Sequence, residues 1–346
     1  MREIKILDCT LRDGGLGIED ANKTGINMKS FDKTIVNKMI SYFSNSNLDI
    51  IELGSIEITD SDVTRYCIYP SIEEISKKIP HKYSKNQMFV ALFRGPDTSI
   101  EDIPNWNETY CEGIRVIIRY SELQKSLNFC KALSKKGYKV FVQPMLTLRY
   151  TEEELDLIIK ASNEMKAYAL YFVDSYGYMT ERDVTYFLKK YDEKLDSEIK
   201  IGFHSHNNLN LAFSNVRAFI NYETNRDIIV DSCVLGMGQG AGNLQTEIIS
   251  DYLNKHYNKK YDYNKILEIC EIIEKFSPKP LWGYTVTTLL PALHKVAYKY
   301  SINLRERYNL SYAEINYLLE NIPEDLRHRY TQENLDRLLN LLKKGE

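Results

Sequence analysis

The chain has 346 residues with a formal net charge of −3 at pH 7, 43% hydrophobic and 27% charged. That length suits one barrel of roughly 250 residues plus an extra segment. The charge excludes a large basic surface for nucleic acid, and no apolar run approaches the roughly 20 residues of a membrane span. The N-terminal stretch lacks the apolar core of a signal peptide, and six cysteines lie without CxxC spacing, so reduced thiols and a cytoplasmic location are expected.

In chain order, short apolar runs alternate with helical patterns. The predicted strands are 4–10, 48–54, 87–94, 113–120, 138–145, 168–174, 199–206 and 228–236. Between them the spacing predicts helices over 31–46, 121–136, 151–165, 180–195 and 209–222, with a capping box from Thr151 to Glu154. Strands rich in Ile, Val and Phe, each followed by a helix or loop, imply βα units and a parallel sheet buried on both faces. Eight such units fit an α/β fold of the (β/α)8 TIM-barrel class. A doubly wound sheet is the alternative, but it wants a helix directly after a glycine-rich first turn, and here RDGGLG leads into a polar stretch to Ser30. After Tyr257 the strand pattern stops, and helices are predicted over 263–276, 285–300, 311–319 and 331–344. The expected organisation is a barrel domain over 1–257 and a C-terminal helical appendage over 258–346, serving as a lid or an oligomer contact. A homodimer is the expected assembly.

Chemistry in such barrels sits at the C-terminal ends of the strands. His204 and His206, two apart at the end of one strand, point to the same side and can clamp one divalent ion; otherwise they are polar residues capping a strand. Asp13, at the end of the first strand, with the two imidazoles and an amide or water, makes a mixed oxygen and nitrogen site. Such donors suit Mn, Fe, Co, Zn or Mg and leave room for substrate oxygens. Arg12 offers a planar fork for a carboxylate or enolate oxygen, or closes the barrel end as an ion pair with Asp13. Asp174 and Glu52 are either partners that orient the histidines and Arg12 or polar residues facing the mouth. Gln143 and Ser175 stand at the ends of strands five and six. The glycine-rich run 236–242 allows close approach of backbone to a ligand or forms an ordinary loop, and Asn243 after it can cap a helix.

The segments LDCTLRDGG, VDSYGYM, GFHSHNNLNLA and GMGQGAGNLQTE together resemble the DRE-TIM metallolyases, the HMG-lyase-like family, over about residues 4–256. Within it the chain most resembles the 4-hydroxy-2-oxovalerate aldolase branch, because the glycine loop is short and lacks the cysteine of the hydroxymethylglutaryl-CoA lyases. The resemblance implies that Asp13, His204 and His206 hold a divalent metal, with Asn243 as a further ligand. Mn²⁺ is expected first, and Mg²⁺, Co²⁺ or Zn²⁺ also suit the donors. It implies that a small 2-oxo acid and an aldehyde are the reactants, that Arg12 stabilises the enolate, and that Arg12, Asp174, Ser175 and Gln143 contact substrate. One departure stands out: the aldolases carry an acid/base histidine three residues after the metal aspartate, and here that residue is Leu16, which cannot move a proton. Tyr284, in a GYT segment that resembles the aldolases' tyrosine-bearing region, takes the catalytic role in this reading with Glu52, and Tyr176 and a metal-bound water are the other carriers. The insert from Gly17 to Ser30 is expected to reshape the pocket, and His294 to be structural. A Claisen-type acyl-CoA condensing enzyme and a barrel that has lost catalysis and serves as a binding protein are the competing functions.

Overall fold

The computed structural model describes residues 2–23, 28–57, 66–81, 86–276 and 282–340. Among these residues nine parallel strands form one sheet: β1 (Ile4–Asp8), β2 (Ile50–Ile56), β3 (Ile68–Tyr69), β4 (Met88–Phe93), β5 (Gly113–Ile118), β6 (Lys139–Pro144), β7 (Ala169–Asp174), β8 (Lys200–Ser205) and β9 (Ile228–Ser232). Leu7 pairs with Ile50 of β2, and Ile4 with Ile228 of β9, so β1 joins the two ends and closes a TIM barrel. The short β3 pairs with Ser55 and Ile56, where β2 outruns β1. The register of β2 shifts between Glu52 and Ser55. Gly54 lies in that shift with φ +154°, and a Cβ there would meet the Cys67 carbonyl oxygen at 2.2 Å. Only glycine tolerates both conditions.

Every strand residue but a few at the rims is buried, as expected for a sheet covered on both faces. The cover is α1 (Gly15–Lys23), α2 (Lys33–Ser44), α3 (Ile72–Ser76), α4 (Leu123–Lys135), α5 (Glu152–Glu164), α6 (Glu181–Lys194), α7 (Ala212–Asn221) and α8 (Thr246–His256). The Thr151 and Glu154 capping box opens α5 as its sequence predicts. In contrast to the polar stretch expected after RDGGLG, α1 follows the first turn directly. A glycine pair starts it because a Cβ on Gly15 would meet the Tyr66 carbonyl oxygen at 2.1 Å.

Among the described residues five more helices follow: α9 (Tyr263–Phe276), α10 (Val286–Leu293), α11 (Lys299–Glu306), α12 (Tyr312–Glu320) and α13 (Gln332–Leu339). Ile266, Ile269 and Ile273 of α9 belong to the barrel's hydrophobic core. Residues of α10–α13, among them Leu290, Leu304, Leu318 and Leu335, form a second core of their own. The single helix predicted over 285–300 is two. Lys295 adopts the left-handed region with φ 56°, and Val296 donates to the Pro291 carbonyl at 2.9 Å, which turns the chain before α11. Residues 341–344 of the last predicted helix lie outside the described residues. No helix among the described residues is long and apolar enough to cross a membrane.

Candidate metal centre and active-site cavity

The first βα connection builds one side of the site. After β1, Thr10–Gly14 wind a single π-helical turn, in which Asp13 N–H donates to the Cys9 carbonyl at 2.8 Å. Such turns are rare and cluster at functional sites. This one brings Arg12 and Asp13, both buried, to the barrel mouth. β8 builds the other side. Its alternation sends His204 and His206 to the same face as Asp13, with His204 Nε2 3.6 Å from Asp13 Oδ2. One donor atom from each of Asp13, His204 and His206 lies within 4.8 Å of the others.

Below the triad runs a chain of buried charges. Arg12 Nε donates to Glu52 at 2.7 Å, and Arg12 Nη1 to Asp13. Arg115 Nη1 donates to the same Glu52 oxygen at 2.7 Å, and its Nη2 to Asp231. Asp231 in turn lies 2.8 Å from His204 Nδ1. A bond at Nδ1 turns Nε2 outward as a ligand, the arrangement that orients metal-binding imidazoles. His206 Nδ1 is likewise held, 3.2 Å from the Gln239 carbonyl, which leaves its Nε2 free. Three carboxylates (Asp13, Glu52, Asp231) face two guanidinium groups here, so with both imidazoles neutral the centre carries one excess negative charge that a cation would offset.

The electrostatics agree with that balance. Burial alone would raise the Asp13 carboxyl, but Arg12 and then His204 hold it at about 2. Burial would lower His204, but the Asp231 hydrogen bond and others push it up to about 10, so positive charge is favoured between Asp231 and Asp13. Burial and the neighbouring His204 push His206 down to about 4. Two sulfur-containing groupings, Cys9 with Asp13 and Cys233, and Cys9 with His204 and Asp231, also bring their donor atoms within 4.8 Å of one another. They lie beneath the mouth, where the two fully buried thiols contact each other at 3.3 Å, and neither cysteine lines the cavity.

A cavity of about 270 Å³ opens above the triad. Arg12, Asp13, His204 and His206 form its floor, and Gln143 and Ser175 stand in its wall. The helical unit closes the opposite side with Tyr298 and Lys299, from the turn into α11, and with His328, Arg329 and Tyr330, from the segment before α13. Asp20 of α1 fastens this wall to the barrel. It accepts from Tyr298 Oη and Gln239 Nε2 at 2.6 Å and from Lys299 Nζ at 2.8 Å. The insert 17–30 thus contributes a clasp.

Several predicted site residues are placed otherwise than their expected roles require. Glu52 is wholly buried beneath Arg12 and does not reach the cavity, so it positions the guanidinium. Asp174 accepts from the Tyr178 and Met179 amides at 2.9 and 3.1 Å; its carboxyl turns into its own loop, away from substrate space, and burial pushes it up to about 7. Tyr284 is 57% exposed, because Trp282 Nε1 and Gly283 N–H bind the Gly238 and Ala241 carbonyls and hold that segment on the outside of the glycine loop. Asn243 donates to Asp13 Oδ2 and to the Met237 carbonyl, so its nitrogen, not its oxygen, faces Asp13. Its Oδ1 is buried with no partner among the described residues. Leu16 and Tyr176 both line the cavity. His294 binds Asn316 at 2.8 Å, away from the cavity. Sequence reasoning missed Arg115 and Asp231, although a charge inside an apolar strand is itself a signal. It also missed every cavity residue of the helical unit.

Three comparisons bear on this geometry. A 4-hydroxy-2-oxovalerate aldolase of Pseudoalteromonas translucida is 33% identical over 159 residues, 46% of this chain but only 45% of that protein's length. Another, of Carboxydothermus hydrogenoformans, is 27% identical over 280 residues, 80% of this chain and 78% of that one. The N-terminal domain of a proposed aldolase from Bacteroides vulgatus superposes with a TM-score of 0.71 at 25% identity, over 88% of this chain and 98% of that one. The family model described as HMGL-like matches residues 3–273, the whole of the barrel and its donor triad, and this chain belongs to that family.

Proposed function

We propose that this chain is a divalent-metal-dependent aldolase that makes or breaks a carbon–carbon bond in a small 2-oxo acid, with an aldehyde as the second reactant. The observation that carries the reading is the donor triad Asp13, His204 and His206 on the floor of a cavity that also holds Arg12. The relatives named 4-hydroxy-2-oxovalerate aldolase support the substrate class. One carboxylate and two imidazoles suit a divalent ion, and the family resemblance puts Mn²⁺ first, with Mg²⁺, Co²⁺ and Zn²⁺ as alternatives. When bound, such an ion supplies Lewis-acid polarisation of the keto group.

The protein's own residues supply the rest. Arg12 Nη2 donates to no protein group among the described residues, so it is available to an oxyanion while Glu52 and Asp13 fix the guanidinium. Gln143, whose carbonyl oxygen faces Arg115 once its amide is oriented to satisfy both, and Ser175, held by the Leu146 amide at 2.8 Å, shape the wall beside it. With Leu16 at the expected histidine's position, His328 is the imidazole in the cavity outside the donor triad. Burial, and then Arg149, lower its pKa, so it is neutral at pH 7 and able to accept a proton.

A cavity of about 270 Å³ is smaller than the roughly 300–1,000 Å³ that drug-sized ligands need, which favours a small oxo acid over an acyl-CoA. The test is metal analysis of the purified protein, then pyruvate release from 4-hydroxy-2-oxo acids with Mn²⁺ added. Release that His204→Ala abolishes supports the proposal. Metal binding without turnover of any oxo acid would favour a binding protein instead.

A further inference from the structure

The cavity has two ends of different character. The floor holds the donor triad and Arg12, all committed to the 2-oxo acid in the reading above. The far wall, from the helical unit, carries two basic side chains: Lys299 and Arg329 line it beside the neutral His328. Lys299 is neutralised by Asp20 at 2.8 Å. Arg329 has no anionic partner among the described residues, and Asp13 is the one carboxylate among the described residues lining the cavity.

Arg329 is exposed at the mouth of the cavity, but the segment that carries it is not loose. Its carbonyl accepts from Tyr300 Oη at 3.0 Å and from Asn334 Nδ2 at 2.8 Å. The preceding His328 carbonyl accepts from Tyr176 Oη of the barrel at 2.9 Å. The Arg327 carbonyl accepts from Ala297 N–H at 2.8 Å, which ties the segment to the turn that carries Tyr298. The backbone is therefore fixed from both units while the guanidinium is left free at the cavity. A guanidinium fork held this way matches the paired oxygens of a carboxylate or phosphate.

We propose that Arg329 is a specificity-determining residue that binds an oxyanion, a carboxylate or a phosphate, on the aldehyde half of the substrate. The inference rests on the aldolase reading and narrows it: the acceptor is a charged aldehyde, not an alkyl one. The anionic group is a spectator in the chemistry. In cleavage the C3–C4 bond breaks and its electron pair passes to C3 of the enolate. The C4 hydroxyl gives its proton to the base, and its oxygen becomes the aldehyde carbonyl. The enolate then takes one proton at C3, so no oxidant or reductant is needed.

The experiment compares 4-hydroxy-2-oxo acids whose far end is a methyl group, a carboxylate or a phosphate monoester, in the full chain loaded with Mn²⁺. One of the charged substrates should exceed the methyl substrate at least tenfold in kcat/KM, and which of the two does so identifies the anion. That ratio should fall at least tenfold in Arg329→Gln, mainly through KM, and recover in part in Arg329→Lys. If the methyl compound is cleaved and the ratio is near one, or is unmoved by Arg329→Gln, the inference falls and the aldolase reading stands. If none of the three is cleaved, the aldolase reading falls. Calorimetric titration with the same compounds then decides the anion site: tenfold weaker binding of a charged compound to Arg329→Gln keeps it, and equal binding removes it.

Discussion

Asp231 lies 2.8 Å from His204 Nδ1, and this one contact determines which nitrogen of His204 faces Asp13. Asp231 is also bound by Arg115, so the carboxylate cannot turn away. Asp231→Asn keeps the shape but offers His204 a neutral partner in place of an anionic one. Losses of this kind weaken metal binding about 10–100-fold. Titration of the purified variant with Mn²⁺, set against the native chain, reads the change directly; unaltered affinity would remove Asp231 from the centre.

Asp20 joins α1 to the helical unit through Tyr298, Lys299 and Gln239. Asp20→Ala leaves Lys299 without its partner and loosens the far wall. KM for the oxo acid is expected to rise several-fold, and amide exchange at residues 297–299 and 328–330 should quicken while β1 and β8 stay protected. Equal exchange at the two places would show that the clasp does not hold the wall.

His328 is the proposed proton carrier, and its pKa lies below the usual imidazole range because of burial and the nearby Arg149 and Arg327, with Glu324 pulling the other way. The basic form therefore prevails at neutral pH. Activity should fall on an acid limb below that range, as the imidazole takes up its proton. His328→Gln should lower kcat by about 10²–10⁴-fold and abolish that limb. A variant that keeps both kcat and the limb would assign the proton elsewhere in the cavity.

Asp8 gives a prediction about stability. Burial pushes its carboxyl from 3.8 up to about 7, although the Thr246 hydroxyl at 2.6 Å and the Thr10 amide at 3.0 Å pull the other way. The native chain thus keeps this proton to a higher pH than the unfolded chain does. Stability from this group is complete below the unfolded value and is lost as pH rises towards about 7. Urea midpoints should fall across that window in the native protein and change less in Asp8→Asn. Asparagine can still accept from Thr10 and donate to the Thr246 oxygen.

Gly54→Ala tests the shift in β2. The new Cβ would meet the Cys67 carbonyl oxygen at 2.2 Å in a backbone conformation that side chains rarely adopt. A loss of about 2–3 kcal/mol is expected from thermal or urea unfolding, the upper range for a single substitution. Because Glu52 lies just before the shift, weakened Mn²⁺ binding should accompany it.

The barrel and the floor of the cavity were legible because local rules act on them. Alternating apolar runs mark the strands, and His204 and His206 share a face by strand periodicity alone. What was hidden depended on tertiary packing. Arg115 and Asp231 sit inside strands whose apolar residues mask them, and their pairing joins β5 to β9, 116 residues apart. The turn at Lys295 was hidden by a helical pattern that runs on either side of it, and with it went Tyr298 and Lys299. Tyr284 attracted the catalytic role through a local GYT resemblance. The backbone bonds of Trp282 and Gly283 to the glycine loop, which hold it outside, have no local signature.

The two hydrophobic cores share no residue. Substitutions that repack α10–α13 can therefore reshape the ceiling of the reaction chamber while the barrel beneath keeps its register and its cation donors. On the proposed function, a lineage could in this way exchange one aldehyde for another by drift in the last fifth of the chain, so long as His328 is kept, with Arg12 and the donor triad inherited unchanged.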